Sequence, residues 1–197
     1  LHLRVGQPRA PRPAHSLGYP QTRRRLAVLT EDGIAARGAP GTLAVSNRDP
    51  GLMLGYFGAE AETQAKFRGE WFLTGDTVAM AEDGSLSYLG RGDDMMNAGG
   101  VRVSPIEVES ALIQHPDIDE CAAAEVQVKA DTTVIAAFVV SHPEALDEDA
   151  LAAFAAERLA KYKCPRLFVR VDALPKNSNG KIQRKALREA WEAGTLA

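Results

Sequence analysis

Residues 121–141 read CAAAEVQVKADTTVIAAFVVS, and this stretch decides the architecture of the C-terminal half of the chain. Two apolar runs, 121–128 and 133–141, are separated by the charged segment 129–131 (KAD). Apolar runs of this length that are bounded by a turn are typical of strands. The stretch therefore predicts two strands of a short sheet.

A helix is predicted immediately before this strand pair. Ser104 is placed as the N-cap, Pro105 occupies the first helical position, and Glu107 follows three residues after the cap, which is the pattern of a capping box. Pro116 would stop the helix. The predicted buried stripe consists of Ile106, Ala111, Leu112 and Ile113.

The residues after the strand pair predict further helices and strands. Segment 147–163 predicts an amphipathic helix with Asp147 as its cap, 167–171 predicts a strand, and 184–191 predicts a last helix. The resulting order fits a small α+β domain in which helices cover one face of a short sheet. The apolar residues at helical spacing in the first of these helices are Leu151, Phe154, Ala155 and Leu159.

The region 26–90 is predicted to be mostly β-structure. LAVLT (26–30) and TLAVS (42–46) are interpreted as partner strands, and a short helix is expected within 59–68. The Asp-Gly pair at 83–84 lies between two apolar runs, which is a strong hairpin signal. This part of the chain therefore differs in character from the α+β region that follows it.

Residues 1–25 predict an extended arm or loop, because arginine and proline dominate and little is available to bury. The sequence begins at Leu1 and enters this arm directly. We therefore expect the chain to be a piece of a longer protein.

Composition excludes several classes of partner. The chain has 197 residues, a formal net charge of −3 and a pI of about 5.9, so no basic footprint suggests a nucleic-acid partner. No apolar run approaches the roughly 20 residues of a membrane helix, and no signal-peptide pattern is found. Cys121 and Cys164 form neither a disulfide framework nor a CxxC metal clip, which favours a reducing, cytoplasmic setting.

Two charged residues are candidates for binding a ligand with hydroxyl or phosphate groups. Asp76 ends GEWFLTGD (69–76) at a predicted strand-to-turn junction, where a carboxylate can accept hydrogen bonds from a vicinal diol such as a ribose. The alternative is that Asp76 only caps a turn. Arg91 offers a fork of donors that suits phosphate or ribose oxygens.

GRGDDMMNAGG (90–100) is polar and rich in glycine, which makes it a candidate linker. Asp93 and Asp94 could set a hinge between two domains, and the alternative is a solvated linker. Neighbouring carboxylates in an extended chain point apart, so general acid–base chemistry and metal binding are discounted.

Gly99 and Gly100 permit a close backbone approach by a ligand or unusual dihedral angles, and Arg102 follows two residues later. Lys181 lies in the polar turn of LPKNSNGKIQRKAL (174–187), where a mobile ammonium group can stabilise developing charge on a phosphate or carboxylate. The alternative is an ordinary solvated turn. Arg184 and Lys185 are interpreted as surface charge on the last helix.

The order of these motifs resembles that of a known family. TGD (74–76), GRGDD (90–94), GGVRVSPIEVE (99–109) and PKNSNGKIQR (175–184) follow one another as in the C-terminal half of the adenylate-forming superfamily of acyl-CoA synthetases, peptide-synthetase adenylation domains and luciferases. Each motif alone is common, but four in order at fitting spacings are specific. The resemblance extends over nearly the whole chain from about residue 18.

The resemblance implies a distal β-rich piece of a large N-terminal domain (26–90), a hinge (91–95) and a mobile C-terminal lid domain (96–197). It implies a two-step reaction in which an acid and ATP give an acyl-adenylate, and coenzyme A then displaces AMP. Its implied site residues are the catalytic Lys181, the nucleotide-binding Asp76 and Arg91, the hinge residue Asp93, and Gly99, Gly100 and Arg102 for the thioester step.

The family's phosphate loop and acyl pocket are absent from this sequence, so this chain alone is expected to be inactive. ATP and coenzyme A are the implied cofactors, magnesium would travel with ATP without ligands among these residues, and an upstream domain is the implied partner. Arg91 lies in GRG rather than GRV or GRS, which is a small departure from the pattern.

Benzoate-CoA ligases and other ligases for aromatic or medium-chain acids are the branch that the sequence most resembles. An amino-acid-activating or carrier-protein-loading enzyme is the first alternative. A non-enzymatic interaction module is the second.

Overall fold

The computed structural model describes residues 3–4, 16–21, 23–142 and 147–196. They form two compact units that divide between Asp93 and Asp94. The architecture is mixed α+β, which confirms the predicted fold class. No helix in these described ranges is long and apolar enough to cross a membrane.

The first unit is built on an antiparallel eight-stranded sheet. Its strands follow the order β1-β2-β8-β7-β5-β3-β4, and the short β6 pairs with β7. The elements are β1 (Leu3–Arg4), β2 (Ser16–Pro20), β3 (Leu26–Thr30), β4 (Gly33–Ile34), β5 (Pro40–Ser46), α1 (Glu60–Ala65), β6 (Phe67–Arg68), β7 (Trp71–Met80) and β8 (Leu86–Arg91).

Local sequence signals predict most of this unit correctly. The expected strand at 26–30, the short helix within 59–68 and the hairpin around Asp83 and Gly84 are all confirmed. Alternation along β3 and β5 gives the sheet apolar side chains on both faces. One face carries Val28, Leu43, Val78 and Leu86, and the other carries Ala27, Leu29 and Ala44.

The predicted N-terminal arm is only partly described. Residues 1–2, 5–15 and 22 lie outside the described residues. Residues 16–20 form β2, which is hydrogen-bonded to β8 as part of the sheet. The backbone groups of this segment find partners on a strand that is distant in sequence, which composition does not reveal.

The second unit contains a three-stranded sheet, a separate two-stranded hairpin and three helices among its described residues. β11 pairs with β12 in antiparallel fashion, and β12 pairs with β13 in parallel. The elements are β9 (Met96–Ala98), β10 (Val101–Val103), α2 (Pro105–Leu112), β11 (Ile118–Lys129), β12 (Thr132–Ser141), α3 (Glu148–Arg158), a 3₁₀ turn (Lys161–Lys163), β13 (Leu167–Arg170) and α4 (Arg184–Glu192).

The three-stranded sheet is buried on both faces. Ala123, Ala137 and Val139 share a core cluster with side chains of α2 and α3, whereas Ala122 and Phe138 share one with side chains of α4. The prediction that helices cover only one face was therefore wrong. Burial on both faces explains why the two strands are almost continuously apolar rather than alternating.

Helix α2 begins as predicted, and it buries two of the four residues of the predicted stripe, Ala111 and Leu112. The Ser104 hydroxyl accepts a hydrogen bond from the backbone N–H of Glu107, so Ser104 is the N-cap. The Glu107 carboxylate forms an ion pair with Lys163 at 2.5 Å. Val108 is fully buried, whereas Ile113, predicted in the buried stripe, is 45% exposed because it follows the last helical residue.

The glycine-rich segment contains more structure than the predicted linker. Met96–Ala98 and Val101–Val103 form the β9–β10 hairpin, and Met96 and Val103 are buried against the core of the second unit. The segment is short and rich in glycine, so local patterns do not identify it as a hairpin.

We predict that Phe138→Ala destabilises the second unit by about 3–5 kcal/mol, because the ring is completely buried in β12. Trp191 packs against the same cluster, and the chain has a second tryptophan only at position 71. Urea unfolding followed by Trp191 fluorescence, in a Trp71→Phe background, measures the loss. Val128→Ala is the control, with an expected change of about 0.5 kcal/mol, because Val128 is partly exposed near the end of β11. Equal losses in the two variants would contradict the prediction.

Candidate functional site

The first unit places Asp76 at a bulge in β7. Ala44 of β5 pairs with Leu73 and Thr42 pairs with Thr77, so residues 74–76 oppose the single residue Leu43. The Thr74 hydroxyl donates to the carbonyl of Leu43 at 2.9 Å and accepts from the backbone N–H of Asp76 at 3.1 Å. A β-bulge changes the direction in which nearby side chains point, and this bulge sets the backbone position of Asp76.

Asp76 lies directly opposite Arg91 of β8. Arg91 Nη1 lies 3.2 Å from Asp76 Oδ1 and donates to the carbonyl of Thr74 at 3.3 Å. Both side chains remain accessible, at 46% for Arg91 and 33% for Asp76. Partial burial opposes the charged guanidinium, but the carboxylates of Asp76 and Asp93 outweigh that effect and raise the pKa of Arg91.

Gly75 is required by the geometry of this pair. Its φ of +81° lies in the left-handed region, and a Cβ there would come within 2.8 Å of Arg91 Nη2. Any side chain at position 75 therefore displaces the guanidinium from its place beside Asp76.

The structure corrects the predicted setting of Asp76. The strand does not end at Thr74-Gly75-Asp76 but continues to Met80, and Gly75 marks a bulge within it. Asp76 and Arg91 belong to separate sequence motifs. The register of β7 and β8 places them directly opposite each other. A glycine inside an apolar run is the local signal of such a bulge.

Asp93 and Asp94 lie in different surroundings. Asp93 is 78% exposed and lies 3.6 Å from Arg91 Nε at the end of the first unit. Asp94 begins the second unit, where its carboxylate lies 3.2 Å from Arg184 Nη1. The hinge role of Asp93 stays a prediction.

In the second unit, Gly99 and Gly100 form the turn of the β9–β10 hairpin. Their φ angles are +61° and +89°, which is the pattern of a type I′ turn, and Asn97 Oδ1 accepts from the N–H of Gly100 at 2.8 Å. A Cβ added at either glycine would have no described atom within 4 Å. The backbone conformation alone therefore explains both glycines, and Arg102 is exposed on β10.

Lys181 is carried on a turn that is braced by its own backbone and by Asn177. Asn177 Oδ1 accepts from the N–H groups of Asn179 and Lys181, each at 3.0 Å, and the N–H of Asn177 donates to the carbonyl of Lys181 at 2.9 Å. The isolated bridge between Lys176 and Ile182 closes the base of the turn. The turn is therefore an ordered platform for the lysine.

The side chain of Lys181 is exposed, and no carboxylate among the described residues forms an ion pair with it. Lys176, five residues earlier, pairs with Glu120 at 2.6 Å. Lys185, four residues later, pairs with Glu189 at 3.6 Å. The ammonium group of Lys181 is thus available to an external anion.

The prediction that Arg184 is a surface charge was wrong. Its side chain is only 12% exposed, and its fork binds Glu109 through Nη2–Oε2 at 2.7 Å and Nε–Oε1 at 3.0 Å. The partners lie 75 and 90 positions away in sequence, so no local pattern could reveal them. Lys185 is exposed, as predicted.

Glu109 and Cys121 are both affected by this buried cluster. Burial raises the pKa of Glu109 even though Arg184 and the N–H of Ala123 favour its ionised form. Burial, together with the nearby Glu109 carboxylate, raises the pKa of Cys121 to about 12. Cys121 is therefore an inert core thiol. No group of three or more potential metal ligands occurs in the described ranges.

Comparison with known proteins identifies the class that this fold and these sites define. Residues 107–181 match the AMP-binding enzyme C-terminal domain. The chain is 41% identical over 180 residues to benzoate–CoA ligase of Thauera aromatica, covering 88% of this chain and 34% of that protein. It is 38% identical over 174 residues to 2-succinylbenzoate–CoA ligase of Geobacillus kaustophilus, covering 88% and 35%.

Solved structures give the same result. An anthranilate CoA ligase in complex with anthranoyl-AMP aligns with a TM-score of 0.81 and 35% identity, over 92% of this chain and 36% of that one. The chain belongs to the adenylate-forming CoA ligase family, as the order of its motifs had implied. It spans about a third of the length of the relatives it matches.

We predict that iodoacetamide at pH 8 modifies Cys164 well before Cys121 in the folded chain. With a pKa of about 12, roughly one Cys121 thiol in ten thousand is ionised at that pH, and the sulfur is also buried. Peptide mass spectrometry measures both rates, and the chain in guanidinium chloride, where both thiols react, is the control. Faster labelling of Cys121 would contradict the geometry of the cluster.

Proposed function

We propose that the full-length protein containing this chain is an AMP-forming carboxylic acid–CoA ligase. The observation that carries the proposal is the exposed ammonium group of Lys181, which has no carboxylate partner among the described residues and is held on a braced turn. Lys181 ends the segment that matches the AMP-binding enzyme C-terminal domain. It also lies in PKNSNGKIQR (175–184), and the resemblance of this segment to the family's motif implies the catalytic lysine at this position.

In the first half-reaction, a carboxylate oxygen attacks the α-phosphorus of ATP and pyrophosphate leaves. Both reactants are anions, so their approach is opposed unless a fixed cation lies between them. We assign that role to Lys181, since a preorganised charge in a dry site stabilises a transition state by several kcal/mol. An ammonium group already held by a carboxylate would have to break that pair first.

We assign Asp76 and Arg91 to the nucleotide. A carboxylate with partly exposed oxygens accepts hydrogen bonds from the two ribose hydroxyls, and Arg91 holds it in place from the neighbouring strand. Arg91 keeps 46% of its side chain accessible, which leaves its fork able to contact ribose or phosphate oxygens as well.

We assign the second half-reaction to a different set of residues. The thiol of coenzyme A attacks the acyl carbon and AMP leaves. Gly99 and Gly100 form an exposed turn without side chains, past which a narrow thiol arm can approach, and the exposed Arg102 suits a phosphate. On this proposal the second unit is a lid that changes orientation between the steps, with Asp93 in the hinge.

We favour an aromatic acid as the substrate, because proteins named for aromatic acids are among those that this chain resembles. Benzoate–CoA ligase is the named activity of the relative with 41% identity, and an anthranilate CoA ligase is the structural neighbour with a TM-score of 0.81. ATP and coenzyme A are the proposed cosubstrates, and magnesium enters with ATP. The chain alone is proposed to be inactive, and a cytoplasmic location stays a prediction.

The full-length protein is tested by incubation with ATP, magnesium, coenzyme A and a panel of aromatic and medium-chain acids. AMP release that depends on coenzyme A and on one class of acid supports the proposal. If the acyl group is transferred only to a carrier protein, the acceptor is that carrier protein and not coenzyme A. Absence of acid-dependent pyrophosphate release with every acid would overturn the proposal.

We predict that Lys181→Ala in the full-length protein lowers the rate of adenylation by about 10²–10³-fold, because it removes the cation that offsets charge repulsion. The reaction of supplied acyl-adenylate with coenzyme A should be largely spared. Pyrophosphate release and thioester formation are measured separately. Lys185→Ala, which removes an exposed lysine paired with Glu189, should leave both rates unchanged. Equal loss of both half-reactions in the Lys181 variant would refute its assignment.

We predict that Gly75→Ala raises the KM for ATP, whereas Gly84→Ala does not. Both glycines have positive φ, so each substitution costs about 1–2 kcal/mol of folding stability. Only a Cβ at position 75 meets Arg91, and nothing lies within 4 Å of one at position 84. Steady-state kinetics and thermal melts of the full-length variants separate the two effects. Similar values of KM in both variants would mean that the Arg91–Asp76 pair does not serve the nucleotide.

A further inference from the structure

Arg184 is the first residue of α4 and follows Lys181 by three positions. Its planar fork is almost fully engaged by two carboxylates. Nη2 lies 2.8 Å from Oε1 and 2.7 Å from Oε2 of Glu109, and Nη1 lies 3.2 Å from Oδ2 of Asp94. The exposures of the three side chains are 12% for Arg184, 15% for Glu109 and 21% for Asp94.

These contacts join three separated parts of the second unit. Asp94 is its first residue, Glu109 lies in α2, and Arg184 begins α4. Glu109 Oε1 also accepts the backbone N–H of Ala123 at 2.8 Å, which connects the cluster to β11. The guanidinium is thus held at a fixed place relative to the sheet and to the beginning of the unit.

The Lys181 turn is attached directly to this fixed point. Gln183, the residue before Arg184, donates its N–H to the carbonyl of Pro175 at 2.8 Å, and this bond closes the loop that contains Lys181. Lys176 at the other end of the turn pairs with Glu120 of β11. The turn is therefore anchored at both ends, to β11 through Lys176 and to the beginning of α4 through Gln183.

We propose that Arg184 is a positioning residue for adenylation, which acts by fixing the turn that carries Lys181. This inference rests on the proposed function, and it adds a role for a residue whose fork is engaged by Glu109 and Asp94. Displacement of a catalytic group by about 1 Å can cost on the order of 10²-fold in rate. A buried fork that restrains the base of the turn prevents such displacement.

A purely structural role predicts different behaviour. Removing one partner of a buried ion pair is destabilising because a charge is left unpaired, whereas replacing both with apolar residues is often neutral. If stability alone matters, replacing both Arg184 and Glu109 restores activity in proportion to the stability that it regains. If position matters, stability returns in part and adenylation does not.

The test uses the full-length protein with the variants Arg184→Met, Arg184→Met/Glu109→Met and Lys185→Met. We expect Arg184→Met to lower the kcat of adenylation by about 10–100-fold with little change in the KM for acid or ATP. Reaction of supplied acyl-adenylate with coenzyme A should change less than threefold. The double variant should regain part of the melting temperature, because it removes the unpaired Glu109 carboxylate while the N–H of Ala123 and the carboxylate of Asp94 still lose their partners. It should keep the adenylation defect, and Lys185→Met should match the wild type.

A second comparison asks whether Arg184 acts through Lys181. In a Lys181→Ala background, Arg184→Met/Glu109→Met should lower adenylation no further, because the positioned group is already absent. Recovery of adenylation in the double variant, equal loss of both half-reactions, or full additivity with Lys181→Ala would each overturn the inference. A wild-type protein that forms no adenylate from any acid would instead overturn the proposed function.

Discussion

Burial of β11 and β12 on both faces is the constraint on which the second unit depends. Successive side chains of a strand point to opposite faces, so two apolar strands need two separate covers. Helices α2 and α3 supply one cover, and α4 supplies the other. Because α4 must reach the far face, the chain crosses from β13 to α4 through residues 171–183. The exposed turn with Lys181 lies on this crossing, so its place follows from the need to bury the sheet.

Three cations of the second unit differ from Lys181 in their partners. Lys163, Lys176 and Arg184 each bind a carboxylate at 3.0 Å or less, and they connect elements that are distant in sequence. Lys181 forms no such pair within the described ranges. A paired cation orders the fold, whereas an unpaired cation on an ordered turn is available to a substrate. Lys129, at the turn between β11 and β12, is likewise exposed without a salt bridge within the described ranges, so the support for Lys181 comes from this difference together with its place in PKNSNGKIQR (175–184).

The first unit also contains one ion pair with a buried carboxylate and one ion pair whose two side chains stay accessible. Asp49 holds Arg24 in an ion pair in which the Asp49 side chain is 4% exposed, which is a structural contact. Asp76 and Arg91 form a looser pair, and both remain accessible to a ligand. The bulge at Gly75 gives this pair its geometry. Family membership follows from the comparisons, and the roles of individual residues are proposals that rest on these local differences.

The sequence by itself determined the longer strands, the beginnings of the helices, the caps at Ser104 and Asp147, and the ordered motifs that indicate the family. These depend on residues within a few positions of one another, where periodicity and capping chemistry are local. Only the tertiary structure decided that helices cover both faces of the sheet, that Asp76 faces Arg91 across two strands, and that Arg184 is buried against Glu109. These three features depend on register and packing between segments that lie 15 to 75 positions apart in the sequence. The charge or hydropathy of one segment carries no information about its distant partner.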